Sequence, residues 1–106
     1  MNIQKLMKEA QKAQEKMREA QERLAARTVT GTAGAGLVTV TANGAGEVTG
    51  IRIDPKTVDP ADVELLEDLV TAAVADAQRK ARELQESEMG SALGGMGGMG
   101  GLGGLF

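Results

Sequence analysis

Apolar or small residues recur at Ile3, Leu6, Ala10, Ala13, Met17, Ala20 and Leu24, spaced alternately three and four apart. That alternation draws one narrow stripe along a helix. No Gly or Pro interrupts it, so the pattern predicts a helix over residues 2–26 with Asn2 as its N-cap. The period then changes. Thr28–Thr32, Leu37–Thr41 and Val48–Ile53 read as three short strands rich in β-branched residues. Gly34-Ala35-Gly36 supplies the first turn and Asn43-Gly44 the second. In the third strand Ile51 and Ile53 share one face and Arg52 takes the other, and Asp54-Pro55 ends the run. A second helix is expected over about 60–88, with Asp59 as cap and Pro60 in its first position. Its stripe is Val63, Leu66, Val70, Ala73, Ala77, Ala81 and Leu84; Leu65, Leu69 and Ala72 widen it enough to meet both a sheet and another helix.

This order predicts an α+β fold: helix, three-stranded antiparallel meander, helix (α-β-β-β-α), folding over residues 1–89. Residues 90–106, GSALGGMGGMGGLGGLF, are expected to form a disordered Gly/Met/Leu-rich tail, because the entropy lost on ordering glycine is not offset by burial. Length sharpens the picture. A first helix of about 25 residues spans ~37 Å, whereas a strand of about seven residues spans ~23 Å. Both helices should therefore protrude beyond the sheet with bare apolar seams, and a second copy of the chain is the simplest partner for them. The sole aromatic residue is Phe106, at the end of the chain, so a monomer buries little area per residue. A homodimer is expected.

The side-chain inventory excludes much chemistry. The chain has no His, Cys, Tyr or Trp, and its only serines are Ser87 and Ser91. Neither a nucleophile–base pair nor a thiolate metal site is available. The acidic run Asp54, Asp59, Asp62, Glu64, Glu67 and Asp68 lacks the alternating ligands of a calcium loop. The glycine clusters lie between strands, not between a strand and a helix, so they read as hairpin turns and not as phosphate loops. The expectation is a protein that is not an enzyme, with no metal, cofactor or small-molecule substrate. The opening MNIQKLMKEAQ is not a signal peptide and no stretch spans a bilayer, so a cytoplasmic protein with no membrane partner is expected.

Charge supplies the positive signal. The formal net charge is −3, yet residues 1–30 carry seven Lys/Arg against four Glu, and residues 31–106 carry five against eleven Asp/Glu. Lys5, Lys8, Lys12, Lys16, Arg23 and Arg27 share one flank of the first helix beside the apolar seam. Arg79, Lys80 and Arg82 lie towards the free end of the second helix, diluted by Glu83, Glu86 and Glu88. The plainer alternative is a solvated face laced by pairs such as Lys5–Glu9 and Glu19–Arg23.

Taken together, LMKEAQKAQEKM in the first helix, the block VTGTAGAGLVTVTANG from Val29 to Gly44, IRIDP at 51–55 and LLEDLVTAAVADA at 65–77 resemble the YbaB/EbfC family of bacterial nucleoid-associated proteins over residues 3–89. The resemblance implies a homodimer of α-β-β-β-α subunits with protruding helices. It also implies binding to double-stranded DNA with weak sequence preference, and a role in nucleoid organisation or gene regulation. The shared motif lies in the sheet and second helix, so it does not designate the DNA contacts. The basic stripe does: Lys5, Lys8, Lys12 and Lys16, with Arg79, Lys80 and Arg82 as further candidates. The alternative is a protein-interaction module acting beside DNA-repair or recombination proteins.

Overall fold

The computed structural model of the chain describes residues 2–94 and has the expected order of elements: α1 (Ile3–Ala26), β1 (Thr28–Ala33), β2 (Val38–Asn43), β3 (Val48–Ile53) and α2 (Val63–Gly94), with a single 3-10 turn at Pro55–Thr57. Asn2 caps α1, its side-chain oxygen accepting from the Lys5 N–H at 3.3 Å. Arg27 is extended, and the chain enters β1 without a loop. The strands form an antiparallel sheet in the order β1-β2-β3, with a register irregularity at Thr41/Ala42.

Both turns form where the glycines predicted, but the chemistry of the second differs from a two-residue Asn-Gly hairpin. Gly44 does not have a positive φ; Gly46 does, at 89°. Asn43 organises the turn instead, its side-chain oxygen accepting from the N–H groups of Ala45 and Glu47 at 3.0 Å each. Gly44 is needed for a different reason. A Cβ there would overlap the Leu24 carbonyl oxygen, because the Gly44 N–H donates to the carbonyls of Leu24 and Arg27 at 2.9 and 3.0 Å. The turn is thereby stapled to the end of α1.

The second helix differs from expectation at both ends. Asp59 caps a preceding turn, accepting from the Ala61 N–H at 2.9 Å, and Asp62 takes the helix cap, accepting from the Leu65 N–H at 3.3 Å. At the other end the helix passes Gly90 and continues to Gly94, six residues beyond the expected limit of 88. Residues 90–94 are therefore not coil, and the remainder of the expected tail, 95–106, lies outside the described residues.

α2 covers β1 and β2. Ala73 and Ala77 are fully buried against Val38, Val40 and Ala42, with Val29, Ala33, Leu66, Leu69, Val70 and Val74 packed around them. Small residues permit a close approach: a Cβ on Gly31 of β1 would collide with the Ala73 carbonyl and the Ala77 backbone. The opposite face of the sheet is lined by threonines, with Thr30 across from Thr41 and Thr32 across from Thr39. Strand parity puts Ile51 and Ile53 on the helix-bearing face, because they sit opposite Val40 and Val38. α2 does not reach them, and they remain 49% and 36% exposed.

α1 touches the body only through its last turns. Ala20 and Leu24 are buried, whereas every residue from Asn2 to Lys12 is exposed. The expected protrusion of α1 is thus observed. No described helix is long and apolar enough to cross a membrane.

The Gly31 contact is backbone against backbone, so neither side can give way by changing a rotamer. Gly31→Ala should cost at least about 2 kcal/mol. Gly50→Ala, where nothing lies within 4 Å of the added carbon, should stay within about 0.5 kcal/mol of the parent. Urea unfolding of the two variants beside the parent checks the contrast.

Candidate nucleic-acid interface

The arm of α1 presents its lysines freely. At ~100° per residue, Lys5, Lys8, Lys12 and Lys16 fall on one flank, and all four are exposed. The Lys5–Glu9 pair allowed by spacing is not among the ion pairs of the described residues, and none of the four lysines enters one. Two of the arm's acids are engaged nearer its root, where Arg18 bridges Glu15 and Glu22, the latter at 2.9 Å. The result is a row of cations with solvated ammonium groups on a helix that stands clear of the sheet.

The stripe changes character at the root of the arm. Arg23 lies on the same flank and Arg27 follows it as the extended residue that ends the helix; both reach Glu88 of α2, at 3.3 and 3.5 Å. The Glu88 side chain is only 17% exposed, and it links two helices distant in sequence. Gln85, one turn earlier on α2, donates from its side-chain amide to the Gly44 carbonyl at 2.8 Å. Glu88 reads in sequence only as a dilution of positive charge; its partners come from the other helix, and no local spacing reveals them.

The α2 candidates divide in the same way. Asp76 accepts the backbone N–H of Thr32 at 3.0 Å, and Lys80 donates to the Thr30 carbonyl at 2.9 Å. β1 is an edge strand, so these two side chains satisfy edge groups that would otherwise be open for pairing. Arg79 holds the other oxygen of Asp76 at 2.8 Å and Glu83 at 2.6 Å. Arg79 and Lys80 thus have internal partners that brace the sheet edge. Arg82 enters none of the ion pairs and lines an open groove between α1 and α2 with Met17, Leu24, Gln85 and Met89. The spacing of Asp76, three and four from Arg79 and Lys80, signals these ion pairs, but nothing local signals its bond to the Thr32 amide. Among the described residues no cluster of His, Cys, Asp or Glu is placed to hold a metal.

A protruding helix lined with free cations, rooted on a half-covered three-stranded sheet, defines a two-layer α+β protein whose accessible charge is suited to a polyanion. The same fold occurs in an uncharacterized protein of Helicobacter pylori, whose crystal structure superposes with a TM-score of 0.78 over 88% of this chain and 98% of that one, at 22% identity. A model of the YbaB/EbfC DNA-binding family matches residues 1–96, and the chain belongs to that family. A protein of Saccharopolyspora erythraea named nucleoid-associated protein is 52% identical over 97 residues, covering 89% of this chain and 84% of its own. One of Chloroflexus aurantiacus with the same name is 50% identical over 95 residues, covering 90% and 95%.

The backbone N–H of Thr32, then Arg79 and Lys80, hold the Asp76 carboxyl at about 2, below its ordinary 3.8. A carboxyl depressed on folding stabilises the protein above its unfolded value and loses that contribution as pH falls through the folded value. Asp76→Asn should therefore lower the melting temperature at pH 7. The difference from the parent should shrink as pH falls from about 4 towards 2, which thermal melts across that range would show.

Proposed function

We propose that the protein binds duplex DNA as a homodimer in the bacterial nucleoid, through phosphate contacts and with weak sequence preference. The observation that carries the proposal is the row Lys5, Lys8, Lys12 and Lys16, exposed and outside the ion pairs of a chain that belongs to a DNA-binding family. The names of the relatives support the nucleoid as its place of action. Lysine acts on phosphate as a mobile point charge and lacks the planar fork that reads a guanine edge. Affinity from such contacts is insensitive to sequence and falls with salt, by about 0.9 log units per log unit of salt for each phosphate neutralised on duplex DNA. Arg82 adds a cation on α2, whereas Arg79 and Lys80 act mainly by bracing the β1 edge.

The homodimer is supported by the apolar surface that the subunit leaves bare. Val48, Ile51 and Ile53 of β3 and Val63 of α2 are 41%, 49%, 36% and 52% exposed. The β1 edge is blocked by Asp76 and Lys80, so β3 and its helix-bearing face are the side left to a second copy. Two copies joined there carry two lysine arms, and paired arms double the phosphate contacts.

Lys5→Glu, Lys8→Glu and Lys12→Glu together should abolish binding to a random duplex in a gel-shift titration at low salt while leaving the dimer mass and the melting temperature close to the parent. Binding by this variant at parental strength would reduce the stripe to a solvated face. A parent with no salt-sensitive binding to any duplex would favour the protein-interaction alternative. Separately, light scattering at micromolar concentration should give twice the chain mass, and Ile51→Asp should shift it to the monomer by placing a charge in the joint.

A further inference from the structure

We infer that Arg23 and Arg27 form a second, masked contact for DNA phosphate, which Glu88 occupies in the free protein. The inference rests on the DNA-binding function proposed above and extends it to residues outside the lysine row. On α1 Arg23 continues the flank of Lys5, Lys8, Lys12 and Lys16, and Arg27, the extended residue that ends the helix, meets it at Glu88, so a backbone tracking the lysines arrives at the pair. Their side chains are 52% and 56% exposed, while the Glu88 side chain is 17% exposed. The acid therefore sits beneath, and the two guanidinium groups face outward.

The contacts with Glu88 are single and long. One carboxylate oxygen lies 3.3 Å from Arg23 Nε and the other 3.5 Å from Arg27 Nη1. Neither is the paired fork that makes an arginine–carboxylate bond strong. Each guanidinium has five N–H donors, and a single contact leaves most of them available. A carboxylate with its two oxygens divided between two guanidinium groups mimics the two non-bridging oxygens of a phosphodiester. Glu88 thus supplies from within the chain the anion that DNA would otherwise supply, and its negative charge opposes the approach of a phosphate. Removing that charge does not detach the helices. Gly44 still binds the carbonyls of Leu24 and Arg27, Gln85 still binds Gly44, and Ala20 and Leu24 remain buried.

The test is Glu88→Gln in the full chain, titrated against a fluorescent random duplex over a series of salt concentrations. The variant should bind about three- to tenfold more tightly at low salt, and its salt dependence should steepen by about 0.9 for each phosphate gained. Adding Arg23→Gln and Arg27→Gln to Glu88→Gln should restore the parental slope. Melting temperature and molecular mass establish that each variant is folded and assembled like the parent. A folded Glu88→Gln protein that binds with parental affinity and slope overturns the inference and leaves the lysine row standing. One that binds more weakly also overturns it, because Glu88 would then be a brace for the arm. Binding by Glu88→Gln alone, with none by the parent, would support a complete mask. No binding by either would remove the DNA function and this inference together.

Discussion

The structure depends on one close approach. Gly31 in β1 lies directly under Ala73 and Ala77 of α2, with no room for a side-chain carbon between the two backbones. Because the helix sits this low, alanine suffices to fill the space directly above the sheet, and Ala73, Ala77 and Ala81 are fully buried. The contact also brings α2 within reach of the strand edge. Asp76 and Lys80 then satisfy polar groups of that edge that would otherwise stand open. Gly44 plays the matching part for α1, where its lack of a side chain lets the last turn of the helix dock on the β2–β3 turn.

A core of valine and alanine is thin, and its position is lopsided. α2 lies over β1 and β2, so β3 shows Ile51 and Ile53 to solvent on the same face that elsewhere is the core. The uncovered area is continuous with the buried one, and the sheet is finished on its β1 side only. The apolar stripe of α2 is likewise only half used: its Leu65 is 51% exposed although it lies among the positions that widen the stripe.

The two kinds of cation are used differently. Arg18, Arg23, Arg27 and Arg79 all pair with carboxylates in the described structure. The arm lysines pair with none, and Lys80 is the lysine drawn inward. Guanidinium suits directional bonds to carboxylates, whereas ammonium remains strongly hydrated and adaptable on a flexible stem. The arm therefore offers its mobile charges outward, while its directional ones are engaged, Arg18 along the helix and Arg23 and Arg27 at the joint with α2, where they meet Glu88.

Periodicity and the residue types between the periodic runs determined the element order, the antiparallel meander, the face shared by Ile51 and Ile53 and the cap at Asn2: the three-to-four and two-residue spacings mark the elements, and the glycines and Asn2 mark where the chain turns or a helix begins. Length alone determined that α1 must protrude, because its rise exceeds the span of a short strand. The ends of α2 were not legible, because Asp59 and Asp62 are both competent caps and helix persistence through Gly90 is not a matter of glycine propensity alone. Nor were the roles of Glu88 and Gly31, or the bond of Asp76 to the sheet edge. Each is defined by a partner far away in the chain: Arg23 and Arg27 for Glu88, the Thr32 amide for Asp76, the backbone of Ala73 and Ala77 for Gly31. Spacing along a chain reports what neighbours on one helix or strand can do. Which of six similar cations on a stripe remain free is decided only when another element arrives with a carboxylate, and that is a property of the packed structure.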